Sequence, residues 1–196
     1  MKKIVAFKGS PRPDGFSNQL LAQVLRGAED AGAEVVVCDL NQSGIRGCQG
    51  CFWCRKHDTC AQQDAFSPMY GHIREASAVV AAFPLYFGQI SGQGKLWLDR
   101  MYPMFNEDFS PRFPGRKAVT IFAQAKADPT VMQSAIDSVN GLIRGYGWEL
   151  TQSFLIAGTV QPDYALPESL LREAYQAGQA LVQGGCSRPV TVDPFP

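Results

Sequence analysis

Five short apolar runs, separated by stretches with helical spacing, constrain the fold of this chain more than any other feature. Residues 3–8 (KIVAFK), 34–39 (EVVVCD), 77–83 (SAVVAAF), 117–123 (KAVTIFA) and 148–157 read as strands. Residues 17–31, 64–75, 91–104, 130–146 and 167–183 read as helices. The first carries Leu20, Leu21, Val24 and Leu25 on one face, and Pro103 weakens the third near its end. Strands that are apolar throughout are buried on both faces, which indicates a parallel sheet covered by helices on either side. With 196 residues, 45% of them hydrophobic, the chain can build one sizeable core. No repeat or linker interrupts it, so a single domain is expected over residues 1–185. Gly184-Gly185 stop the last helix, and residues 186–196 form an irregular, Pro-rich tail.

In such a sheet, ligands bind beyond the carboxyl ends of the strands, where the strand order reverses. The loop after the first strand, GSPRPDGFSN at 9–18, leads into a helix. Ser10 and Ser17 supply hydroxyls, Arg12 a cation and the helix N-terminus its N–H groups, a set that suits a phosphate monoester. It is neither a G-x-G-x-x-G turn nor a G-x4-G-K-[ST] loop, which argues against a dinucleotide or ATP there. A plain turn with Ser17 as helix cap is the competing reading. After the third strand, Pro84-Leu85-Tyr86-Phe87-Gly88 sets two aromatic faces beside exposed backbone N–H groups, which suits a flat heteroaromatic ring. The alternative is that Tyr86 and Phe87 are core residues at a strand end. A third loop on the same rim starts at Gln124. A phosphate, a ring face and a ring edge together describe a flavin mononucleotide pocket.

Between the second strand and the next helix lie Cys48, Cys51, Cys54 and Cys60, spaced C-x2-C-x2-C-x5-C, in a loop over 47–61. Four thiolates on so short a loop repel each other unless a cation gathers them, as an iron–sulfur cluster does. Zinc is the nearest competitor, although its all-cysteine sites use two CxxC pairs a dozen or more residues apart. Disulfides or plain thiols are the remaining reading. The N-terminal apolar stretch is too short for a signal-peptide core, and no stretch approaches a membrane span. A cytoplasmic, reducing setting is therefore expected, which counts against disulfides. Eighteen basic residues balance eighteen acidic ones, so no net field draws nucleic acid or an anionic membrane.

The loop GSPRPDGFSN, the segment FPLYFGQISGQGKLWLDRMY and the cysteine loop between them resemble the NADPH-dependent FMN reductase family, in its iron–sulfur flavoprotein branch. The resemblance runs over roughly residues 1–160. It implies a flavodoxin-like three-layer α/β sandwich, with a five-stranded parallel sheet in the order 2-1-3-4-5. It implies FMN held by Ser10, Arg12, Ser17 and Asn18 at the phosphate and ribityl chain, with Pro84, Leu85, Tyr86, Phe87 and Gly88 at the ring; Gln124, in the third loop of the rim, is a further expected FMN contact. It further implies one 4Fe–4S cluster on Cys48, Cys51, Cys54 and Cys60, and a homodimer or homotetramer. Asp99-Arg100 matches the family's Asp-Arg pair, which is structural or at the subunit interface more often than catalytic. After Cys60 the chain departs from the pattern, keeping Asp64 as the single acid.

The expected function is that of an FMN-dependent oxidoreductase. NAD(P)H is the donor, and a quinone, free flavin or ferredoxin-like protein the acceptor. No side chain is assigned as catalytic. The alternative is a non-enzymatic electron carrier or a redox sensor built on the four cysteines. His57 reads as a solvated loop residue and His72 as a helix-face residue without a partner. Cys38 reads as a small hydrophobe, Cys186 as a tail residue, and Arg112, Arg116 and Lys117 as ordinary surface charges.

Overall fold

The computed structural model describes residues 1–183. The expected stop at Gly184-Gly185, the tail and Cys186 lie outside the described residues. Five parallel strands form the sheet: β1 (Lys3–Lys8), β2 (Glu34–Asp39), β3 (Ala78–Tyr86), β5 (Lys117–Ala123) and β6 (Glu149–Ile156). Their spatial order is β2-β1-β3-β5-β6, the doubly wound order expected. The sixth member is β4 (Gln89–Ile90), a two-residue strand that turns back antiparallel on β3. Side chains alternate across the sheet, as the pleat requires. On one side Ile4, Ala6, Val80, Ala82, Val119 and Ile121 meet α1 (Phe16–Asp30) and α6 (Glu168–Val182). On the other, Val5, Phe7, Val79, Ala81, Phe83 and Phe122 meet α3 (Phe66–Glu75), α4 (Gly92–Asp99) and α5 (Gln133–Gly145).

Three elements depart from the sequence reading, each for a local reason. Strand β3 runs on to Tyr86 because Leu85 and Tyr86 pair with Ile90 and Gln89. The connecting residues Phe87 and Gly88 both have positive φ, 49° and 81°, as a type I′ hairpin turn demands. The helix expected over 91–104 ends at Asp99 and gives way to a 3-10 turn at Tyr102–Met104, which carries Pro103. Within the cysteine loop lies a one-turn helix, α2 (Trp53–Lys56), too short to leave a periodic signal.

Helices α1 and α6 cross with their backbones almost touching. A Cβ built on Gly178 would lie 1.9 Å from the Val24 carbonyl oxygen, and one on Gly27 would lie 2.0 Å from that of Tyr175. Such overlap is relieved only by moving a helix, at a cost of about 1–3 kcal/mol or more. Gly178→Ala is therefore expected to lower the urea midpoint of unfolding. Gly141→Ala, in a helix where a Cβ meets nothing within 4 Å, is expected to be neutral or stabilising. Equal effects of the two substitutions would contradict the close crossing.

Candidate functional site

Two sites lie at opposite ends of α4. The first is a cleft of about 190 Å³ at the carboxyl ends of β1, β3 and β5, lined by Ser10, Arg12, Ser17, Pro84, Leu85 and Tyr86. The loop after β1 is closed around the Arg12 carbonyl, which accepts from the Gly15 N–H (3.1 Å) and from Asn18 Nδ2 (2.8 Å). Gly15 is the N-cap of α1 and supplies no side-chain cap, so no cap oxygen covers the positive end of the helix. A Cβ there would lie 2.7 Å from Ser10 Oγ, so any larger residue would push that hydroxyl out of its present position. The Arg12 side chain is exposed at the rim. Backbone donors, two hydroxyls, a helix N-terminus and an exposed guanidinium are together the groups that an anion requires.

Of the ten residues expected here, six line the cleft and four do not. Phe87 points wholly into solvent from the hairpin tip, and Gly88 is also outside the lining. Both positions are set by the turn. Asn18 is buried and spends its amide on the carbonyls of Arg12 and Pro13, shaping the loop from behind. Gln124 is likewise buried, its amide bound to the carbonyls of Lys126 and Asp128, so it shapes the third loop. The far wall comes from Ala123, Ala125, Thr159 and Val160. Thr159 follows the last strand of the sheet, and that position was the available signal for it.

The second site is a smaller cavity of about 90 Å³ whose lining includes all four cysteines of the loop, with Arg100, Tyr102 and Pro103. Cys48 and Cys51 are exposed, Cys60 half-buried and Cys54 buried. The four cysteines line the cavity without their sulfurs being drawn together: among the described residues, no three Cys, His, Asp or Glu side chains are grouped at metal-binding distance. Burial pushes the Cys54 thiol up, and negative charge at Cys60, Cys48 and Cys51 pushes it further, against a backbone hydrogen bond that pulls it down. A donor set made only of sulfur suits a soft, multiply charged cationic centre.

The base of the loop is stapled. Asp64 accepts from the Arg46 N–H at 3.0 Å and pairs with Arg100 at 2.7 Å and 3.0 Å. Arg100 also donates to the carbonyls of Arg46 and Gln62, one from each stem of the loop, and its guanidinium covers the Phe66 ring at 4.9 Å. Burial by itself would raise the Asp64 carboxyl, yet Arg100 with the N–H groups of Arg46 and Phe66 holds it below the usual range. The second brace is Arg112, which donates to the carbonyls of His57 (3.0 Å) and Cys54 (3.3 Å). Arg112 and Arg116 are thus corrected from the ordinary surface charges expected. Arg116 is buried and donates to the carbonyls of Ala76, Arg74 and Phe113. Each guanidinium ties backbone carbonyls of a distant segment of the chain to its own, so both arginines are structural. His57 stacks on Trp53 at 3.8 Å, and His72, expected to have no partner, lies 3.2 Å from Lys3 Nζ. Burial raises the Cys38 thiol to about 11, in keeping with its reading as a small hydrophobe.

Helix α4 joins the two sites. Its N-cap Ser91 donates to the Gly9 carbonyl at 2.7 Å, beside the cleft, while Arg100 at its C-cap lines the cysteine cavity. Eight helical residues separate them by about 12 Å along the axis. Two larger hollows, about 430 Å³ between α1 and α6 and about 410 Å³ between α4 and α5, hold neither the loops at the strand ends nor the thiols. No helix of the described residues is long and apolar enough to cross a membrane.

Comparison with known proteins bears on the family and the fold. The chain is 33% identical over 101 residues to an iron-sulfur flavoprotein of Archaeoglobus fulgidus, covering 52% of this chain and 46% of that protein. It is 29% identical over 102 residues to an iron-sulfur flavoprotein of Methanocaldococcus jannaschii, covering 52% and 53%. The chain thus spans about half the length of the curated relatives it matches. Among solved structures it is similar to an NAD(P)H:quinone oxidoreductase from Methanothermobacter marburgensis (TM-score 0.74, 21% identity, 93% of this chain and 97% of that one). It is also similar to an azoreductase from Bacillus anthracis (TM-score 0.65, 19% identity, 93% and 99%). Both likenesses concern the fold, the flavodoxin-like sandwich of β2-β1-β3-β5-β6. The description NADPH-dependent FMN reductase matches residues 2–139, most of the sheet and both loops that carry the sites, and the chain belongs to that family.

Proposed function

We propose that this protein is an FMN-dependent oxidoreductase that accepts hydride from NAD(P)H and passes electrons to a quinone, a free flavin or a ferredoxin-like protein. The observation that carries the reading is the cleft at the ends of β1, β3 and β5, anion-binding at one end and lined by Pro84, Leu85 and Tyr86 at the other. When bound there, FMN supplies a hydride acceptor and an electron donor in one ring system. Arg12, Ser10, Ser17 and the start of α1 hold the phosphate. The Pro84–Tyr86 edge supports the ring, whose orientation the hairpin at Phe87-Gly88 limits. Asn18 and Gln124 act by fixing the loops, each with a buried amide oxygen still unpaired. The four cysteines hold a 4Fe–4S cluster at the other end of α4, a reading supported by their all-sulfur donor set. The working form is a homodimer or homotetramer in a reducing compartment.

Binding of FMN is expected to quench its fluorescence through the Tyr86 ring. Tyr86→Leu should recover part of the emission, whereas Phe87→Leu, at a side chain outside the lining, should behave as the parent does. Recovery in the Phe87 variant alone would place the ring elsewhere. Steady-state oxidation of NADH and NADPH with a quinone acceptor tests the activity. FMN binding without turnover by either donor would leave a carrier in place of an enzyme.

A further inference from the structure

The guanidinium of Arg100 has five N–H groups, and four of them have acceptors. Nη1 bonds the Arg46 carbonyl and one Asp64 oxygen, and Nη2 bonds the Gln62 carbonyl and the other. The fifth, on Nε, is buried and meets no acceptor. Its side chain is fully buried, and Arg100 lines the same cavity as Cys48, Cys51, Cys54 and Cys60. Leaving a buried donor unpaired costs about 1–3 kcal/mol, and more on a charged group. Because the carboxylate engages the two Nη atoms end-on, the Nε–H stays on the flank of the fork. Desolvation works against the Arg100 cation, Asp64 favours it most, and the Cys60 sulfur is the next group to favour it. The residue is therefore held by both loop stems, has one spare buried donor, and shares its cavity with the thiols.

We propose that Arg100 is a positioning residue for the sulfur centre: its Nε–H donates to a sulfur at the Cys60 corner of the cavity and raises the reduction potential of the cluster bound there. The inference rests on the cluster reading above. Reduction adds one electron, supplied by dithionite in the experiment below, and makes or breaks no bond. The added negative charge strengthens an N–H···S hydrogen bond, so the donor favours the reduced state.

Two substitutions separate the hydrogen bond from the charge. Arg100→Lys keeps a cation and puts a methylene where Nε stood. Arg100→Gln combined with Asp64→Asn removes both charges and keeps an N–H at the Nε position. Each protein is reconstituted anaerobically with iron and sulfide, assayed for iron per chain, and titrated with dithionite under EPR. Arg100→Lys is expected to make reduction about tenfold less favourable, a fall of about 59 mV, at unchanged iron content. The double variant should stay within about threefold of the parent. An unchanged potential in Arg100→Lys, equal falls in both variants, or loss of iron from both would overturn the proposal, leaving Arg100 only as a clamp on the loop. If one variant fails to take up iron, the other decides by the potential stated for it. A parent chain that takes up no cluster overturns this inference together with the cluster reading; a loaded parent with insensitive variants overturns this inference alone.

Discussion

Asp64→Ala is expected to remove about 3–5 kcal/mol of stability at neutral pH, the usual cost of leaving a buried charge without its partner. Both side chains are out of water, Arg100 fully and Asp64 at 8% exposure. The substitution strips two charge-assisted hydrogen bonds from Arg100 and the anchor from the Arg46 N–H, so the two stems of the cysteine loop lose their common tie. The pH dependence follows from the depressed carboxyl. Its folded value lies below the unfolded one of about 3.9, so the contribution is complete above that value. It is lost as pH falls through the lower folded value. Urea unfolding of parent and variant at pH 7, and again at the lowest pH where the parent stays folded, checks both statements: the gap should be large at the first and smaller at the second. A difference below about 1 kcal/mol at pH 7 would mean that the pair is dispensable.

Arg12→Ala is expected to weaken FMN about 10- to 100-fold and riboflavin by less than about threefold, because a hydrogen bond to a charged group contributes about 1.5–3 kcal/mol. The side chain is exposed at the cleft rim, so the loss should shrink as salt rises. Fluorescence titration of both ligands at low and moderate ionic strength measures this. The Arg12 carbonyl, which Gly15 and Asn18 use to close the loop, survives in the variant, so the cradle itself is retained. Equal losses for FMN and riboflavin would mean that the phosphate does not sit at this loop.

The order of elements was legible because period and punctuation are local. The run VVAAF needs no partner to declare itself a buried strand, and Gly9 ends β1 whatever lies beside it. The polar loop after β1 was legible for the same reason. Ser10, Arg12 and Ser17 fall within eight residues, next to a helix start, and the structure brings all three to one cleft. What misled was the assumption that neighbours in sequence share a direction. Tyr86 and Phe87 are adjacent, yet one lines the cleft and the other stands in solvent, because the hairpin turn rotates the backbone between them. Asn18 and Gln124 were found as site positions but not as what they are, supports that spend their amides on loop carbonyls.

By itself the sequence determined the α/β alternation, the strand ends that carry the cleft and the four thiols on one loop, since each is a pattern written within a few consecutive residues. Tertiary structure decided the rest. It joined Arg100 to Asp64 across 36 residues, aimed Arg112 at the carbonyls of the cysteine loop, and set the two sites at the two ends of α4. Those contacts answer the demand that every buried carbonyl and charge find a partner. Which distant side chain meets that demand depends on how helices and loops pack over the sheet, and no local periodicity records it.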